Sequence, residues 1–160
     1  MKVRDIMQTR LQTIAPDLPV LDAITTMSEQ HVSALPVLDT RGRIIGVIST
    51  TDVLEAEAEA EDAEARSTLF DGTTVRELMT TRPHTVSADE PIGAAAEKML
   101  HLDVHRLFVE EQGRLVGVIS QTDIVRTVAA RQRLAEVKAA AAAAPRRNGR
   151  HPRGDKAGTR

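Results

Sequence analysis

A chain of 160 residues with 21 Lys and Arg against 23 Asp and Glu, a formal net charge of −2, is long enough for one sizeable core but short for two independent ones. It has no cysteine, tryptophan or tyrosine and only two phenylalanines, Phe70 and Phe108, which excludes disulfide frameworks, thiolate metal sites, cysteine nucleophiles and aromatic platforms for single-stranded nucleic acid. The charged opening MKVRDIMQTR, and no run near the ~18 apolar residues of a membrane span, predict a soluble cytoplasmic protein without a membrane partner.

In chain order, the first periodic segment begins at Pro19, a residue tolerated in a first helical turn. Val20, Ala23, Ile24 and Met27 then recur at helical spacing. Two short β-branched runs, residues 35–38 and 44–49, flank Arg41-Gly42-Arg43 and predict a hairpin. The hydroxyl cluster Ser49-Thr50-Thr51 predicts a helix start. Residues 53–66, VLEAEAEAEDAEAR, combine strong helix formers with no apolar stripe beyond Val53 and Leu54, and predict a solvated linker helix.

The same order then returns. Pro91 opens a helix carrying Ile92, Ala95, Ala96 and Met99, residues 107–109 and 115–120 form a hairpin around Gly113, and Ser120-Gln121-Thr122 starts the closing helix. After Val128, AARQRLAEVKAAAAAA predicts a further helix. From Pro145 onward six basic residues face the single acid Asp155 without one core-forming side chain, which predicts a disordered tail.

The recurrence is an internal repeat. Val3-Arg4-Asp5-Ile6-Met7 aligns with Val75-Arg76-Glu77-Leu78-Met79 at an offset of 72, and Thr13, Asp17, Pro19 and Val37 meet Thr85, Asp89, Pro91 and Val109 at the same offset. After one deletion in the turn, GVISTTD at 46–52 matches GVISQTD at 117–123. The expected organisation is repeat one at 3–54, an acidic helical linker at 55–74, repeat two at 75–128, an Ala-rich helix at 129–144 and the basic tail at 145–160.

These residues resemble a tandem pair of cystathionine β-synthase (CBS) domains, a Bateman module. The likeness lies in Val-x-Asp-Ile-Met, Thr13 with Pro16-Asp17, Leu35-Pro36-Val37, Gly42-Arg43 and the closing Gly-Val-Ile-Ser-x-Thr-Asp, and it covers about residues 3 to 128. It implies an α/β (α+β) fold of two pseudo-two-fold-related β-α-β-β-α repeats packed through their sheets, with two clefts for AMP, ADP, ATP or S-adenosylmethionine. It places Ser49, Thr51 and Asp52 at one cleft and Ser120, Thr122 and Asp123 at the other, with Thr13, Ile14, Thr85 and Val86 against adenine. The segment His105-Arg106-Leu107 resembles the AMP-activated kinase γ subunit, which makes Arg106 the phosphate ligand; Phe108 departs from the family's proline. The resemblance also implies a homodimer stacked through helices, and regulation of a separate, unidentified protein by a stand-alone module.

The residues themselves allow two readings. A helix start with unpaired N–H groups and hydroxyls suits a phosphate, and a carboxylate one turn on suits ribose hydroxyls; the same residues also make a plain cap. No phosphate loop, dinucleotide fingerprint or nucleophile elbow occurs, and the repeated aspartates lack an adjacent histidine, so no enzyme is expected. His101 and His105 have metal-ligand spacing, but the strand expected from Val104 separates them, and no required cofactor or metal is predicted. The alternative function is binding of nucleic acid or an acidic partner through the arginine-rich tail, which the acidic body disfavours.

Overall fold

In a computed structural model of the chain, residues 1–143 are described; the last position of the Ala-rich helix and the basic tail lie outside them. Met1–Thr127 forms one unit and the chain from Val128 a second. In the first, a 3-10 turn (Val3–Asp5) precedes α1 (Val20–Glu29), β1 (Ala34–Leu38), β2 (Ile44–Ser49), α2 (Thr50–Glu59), α3 (Ala63–Gly72) and α4 (Val75–Leu78). Then come β3 (Thr80–Thr81), β4 (Thr85–Ser87), α5 (Ile92–His101), β5 (Arg106–Glu111), β6 (Arg114–Ser120) and the start of α6 (Gln121–Ala143). The second unit, so far as described, is the remainder of α6, with Leu134 and Val137 exposed. No helix among the described residues is long and apolar enough to cross a membrane.

Two three-stranded sheets, ordered β1-β2-β3 and β4-β5-β6, carry the two repeats of one module. β1 and β5 each bury three consecutive residues, and Leu35 lies opposite Ile48 as Leu107 lies opposite Ile119, all four fully buried. β4 runs parallel to β5, with Val86 beside Val109; in the first repeat the equivalent strand is a single parallel bridge between Ile14 and Val37. The deletion between repeats falls in the hairpin turn. Gln112 and Gly113, at φ 50° and 74°, close β5–β6 with the two positive φ values of a tight I′ connection. The longer first loop is held by Asp39, whose Oδ1 accepts from the N–H groups of Arg41 and Arg43 at 2.9 and 3.0 Å.

The repeats exchange their opening segments. Val75, fully buried, completes the core of Ile14, Val20, Ala23, Leu35 and Ile48, while Val3, also fully buried, completes that of Val86, Ala95, Met99, Leu107 and Ile119. The backbone repeats the exchange: Val3 N–H donates to Glu90 O and Arg4 N–H to Ala88 O, just as Val75 N–H donates to Leu18 O and Arg76 N–H to Pro16 O. Each anchoring valine buries a side chain worth about 1.5–3 kcal/mol in the other repeat's core, so the two halves share one folding unit.

The linker stays solvated over residues 54–66 but forms two helices where one was expected. The chain leaves helical geometry at Ala60, and Asp62 caps a new helix by accepting from Ala65 N–H at 2.8 Å. α3 then brings Phe70 against the first core. A single aromatic among alanines and acids gives no stripe, yet supplies enough apolar area to dock the helix.

Candidate functional site

Both closing helices begin with the same capping box. The Ser49 hydroxyl donates to Asp52 Oδ2 at 2.6 Å and accepts from Asp52 N–H at 3.3 Å, while Ser49 N–H reaches the same Oδ2 at 2.7 Å. Ser120 and Asp123 repeat this at 2.6, 3.2 and 2.9 Å. The capping reading of the motif is therefore realised, and it engages one carboxylate oxygen. The other oxygen meets the exchanged segment: Thr80 Oγ1 donates to Asp52 Oδ1 at 3.2 Å, and Gln8 Nε2 donates to Asp123 Oδ1 at 3.1 Å. Gln8 and Thr80 are 72 positions apart, so each repeat's lead-in holds the other repeat's aspartate.

The glycine of each motif admits that segment. Thr81 pairs with Gly46, and Gln8 bridges Val118 through hydrogen bonds of 2.8 and 2.9 Å. A Cβ on Gly46 would stand 2.5 Å from Met79 Sδ and 3.0 Å from Thr80 O; one on Gly117 would stand 2.8 Å from Met7 Sδ and 2.9 Å from Gln8 O. The absence of a side chain is thus required by close approach of another strand.

Beside the second motif lies a recess of about 250 Å³ lined by Gln8, Arg106, Val118, Ser120, Thr122, Asp123 and Arg126. Gln8, Arg106 and Val118 also line an adjoining recess of about 460 Å³, which continues past Arg10, Ala34, Pro36 and Phe108. Together they form a cleft with a cationic end at the start of α6 and an extension past β1 and β5 that mixes Arg10, Gln12 and Gln30 with Leu11, Pro36 and Phe108. Burial alone would push the Asp123 carboxyl up, but hydrogen bonds from the Ser120 hydroxyl, the Gln8 amide and Ser120 N–H, with the nearby Arg126 charge, hold it below the usual carboxylate range. Asp123 is ionised at the wall of the cleft.

The structure brings Arg106, Ser120, Thr122 and Asp123 together as expected in one recess. Ser49, Thr51 and Asp52 share the start of α2, with Thr51 exposed. The side chains of Ile14 and Val86 are 6% and 3% exposed and belong to the two cores, which leaves their backbone for the expected adenine contact. The Ile14 N–H and C=O are themselves spent on Pro36 O and Leu38 N–H. Thr13 is exposed and Thr85 half-buried, with Thr85 O accepting from Lys98 Nζ at 2.6 Å. Phe108 stands across from Pro36 on the cleft's apolar wall.

Gln8, Val118 and Arg126 line the smaller recess without having been expected from the sequence. Arg126 follows Asp123 by three residues in a helix, a spacing that places both on one face and was legible; Gln8 lies 115 residues from Asp123, and no local pattern signals it. His105 Nδ1 contacts Gln121 Oε1 at 3.3 Å, and among the described residues no group of three or more His, Cys, Asp or Glu could hold a metal.

Against known families, the CBS domain model matches residues 3–59 and again residues 75–130. The chain is 27% identical over 128 residues to the uncharacterized protein MJ1404 of Methanocaldococcus jannaschii, covering 79% of this chain and 28% of that protein. It is 30% identical over 129 residues to the A-adding tRNA nucleotidyltransferase of Aquifex aeolicus, covering 80% and 14%. The chain thus spans less than a third of these curated relatives. Among solved structures, CBSX2, known from Arabidopsis thaliana, matches in its complex with AMP at 30% identity and a TM-score of 0.70, covering 82% of this chain and 98% of that one.

Proposed function

The chain belongs to the CBS domain family, and from that membership we propose that it is a regulatory, non-catalytic module that binds an adenosine-containing ligand and modulates a separate protein. The observation that carries this reading is the cationic recess at the start of α6, where Arg106, Ser120, Thr122 and Asp123 converge. Gln121 N–H is taken by His105 O and Asp123 N–H by the Ser120 hydroxyl, which among the described residues leaves the Thr122 N–H at the helix start for an anionic oxygen. Asp123 Oδ2 is filled by the cap, whereas among the described residues Oδ1 accepts only from Gln8 and keeps a lone pair for one ribose hydroxyl. The likeness to CBSX2, solved in complex with AMP, supports the ligand class.

AMP, ADP, ATP and S-adenosylmethionine are the candidates, and a thermal-shift series against the four tests the reading. A ligand at about a hundred times its dissociation constant stabilises by roughly 2.7 kcal/mol, a plainly visible rise in melting temperature. Four flat curves would end the proposal. The alternative, contact with nucleic acid or an acidic partner through residues 145–160, draws on positions outside the described structure, and salt-dependent duplex binding lost on deleting them would favour it.

The module is further proposed to be a homodimer through its helical faces. α1, α2 and α3 enclose a groove of about 440 Å³ lined by Ile24, Met27, Val53, Leu54 and Phe70, and Ala96, Leu100, Ile124 and Val125 line an equivalent groove in the second repeat. Leu54, Leu100 and Val125 are 63, 75 and 65% exposed, an apolar surface that a second copy would cover. Sedimentation is expected to give a dimer that Leu100→Glu with Val125→Glu converts to monomer. A wild-type monomer at high micromolar concentration, with and without nucleotide, would refute it.

A further inference from the structure

The two motifs match in their hydrogen bonds but not in the charges around them. Arg106 and Arg126 line the recess of the second motif, and Arg10 lines its continuation. The equivalent positions for the first motif hold Ala34, Glu55 and Arg82. One arginine is missing there and another is replaced by an acid. Arg126 lies three residues after Asp123 in α6, so the two share a helix face, and its charge helps to keep Asp123 ionised. In α2 the same spacing joins Asp52 to Glu55, two carboxylates one turn apart. Among the described residues neither Arg106 nor Arg126 enters an ion pair, so both guanidinium groups are open to a ligand.

We infer that Arg126 joins Arg106 at the phosphate end of the recess at the start of α6, so that this recess takes a phosphorylated adenosine compound, whereas the start of α2, with Glu55 in the place of Arg126, takes no phosphate. The inference rests on the adenosyl reading proposed above and deepens it. A phosphate dianion gains from two guanidinium forks that present planar donor pairs. At the start of α2 Asp52 and Glu55 set two carboxylates one turn apart, and repulsion between like charges opposes the approach of the same dianion. An uncharged adenosine, or one bearing a sulfonium, meets no such opposition.

Calorimetry on the full chain with adenosine and with AMP tests this. Wild type is expected to take one AMP per chain in a tight site and to bind AMP more tightly than adenosine. Arg126→Glu, which gives the second cleft the acid of the first, should lower the ratio of AMP to adenosine affinity by about tenfold, and Arg126→Gln by a smaller factor in the same direction. If neither compound binds wild type, the adenosyl reading itself is overturned. If adenosine binds but AMP fills two equal sites in wild type, or if both Arg126 variants change AMP and adenosine affinity alike, the adenosyl reading stands and the sorting by charge is overturned.

Discussion

Replacing Gly117 by alanine is expected to destabilise the protein by about 1–3 kcal/mol, a fall of roughly 2–12 °C in melting temperature for a chain of this size. The new Cβ would press on Gln8 O at 2.9 Å, a backbone atom that already accepts from Val118 N–H at 2.9 Å. Neither rotamer change nor local sliding relieves that contact, so residues 7 and 8 must lift from the edge of β6. Lifting them breaks both backbone bonds to Val118 and the amide contact to Asp123, and draws on the burial of Val3, Ile6 and Met7 in the second core.

Gly46→Ala should destabilise less. There the tightest contact is Met79 Sδ at 2.5 Å, in a flexible side chain, and the nearest backbone atom, Thr80 O, is at 3.0 Å. Met79→Ala should therefore recover much of the loss caused by Gly46→Ala, whereas Met7→Ala should recover little of the loss caused by Gly117→Ala. Thermal melts of the two double-mutant cycles measure both. A Gly117→Ala protein that melts with wild type would mean that the exchanged segment is not held at this edge.

The second large effect concerns ligand. Arg106→Ala is expected to weaken AMP binding ten- to a hundred-fold, because a charge-assisted hydrogen bond contributes about 1.5–3 kcal/mol, and to remove most of the preference for AMP over adenosine. Arg106 lies in the same recess as Ser120, Thr122 and Asp123, so its guanidinium and the helix start address one anionic group. Asp123→Ala should instead weaken adenosine and AMP together, since the ribose acceptor is lost whichever phosphates are present; the same change unhooks Gln8 and opens the cap of α6. Calorimetry separates the two patterns. If Arg106→Ala binds AMP as wild type does, the phosphate end of the cleft lies elsewhere, and if Asp123→Ala retains full affinity for adenosine, the motif is only a helix cap.

How far the sequence reaches is clearest at the motif itself. The capping boxes of Ser49 with Asp52 and Ser120 with Asp123 were legible because they span three residues and satisfy local backbone groups. The hairpins were legible because short β-branched runs flank a glycine-containing turn in each repeat. Arg106 could be read from the tripeptide around it, and the inequality of the clefts from Ala34 at its equivalent position.

What lies beyond that reach involves choosing among equivalent partners. Val3 and Val75 are apolar residues in matching contexts, and nothing local tells whether each completes its own repeat's core or the other's. The repeat even obscures the answer, since either assignment satisfies the same pattern. Only the packed structure selects the exchange, through backbone pairing at Gly46 and Gly117, and with it brings Thr80 to Asp52 and Gln8 to Asp123 across 28 and 115 residues. The side chains of Ile14 and Val86 turn into the two cores, a placement that packing against the helices decides. The sequence by itself determined the repeat, the order of elements and the chemistry of each helix start, which depend on neighbours within a few residues; the tertiary structure decided which lead-in serves which cleft and which side chains face it, because those depend on contacts between segments whose local patterns are interchangeable.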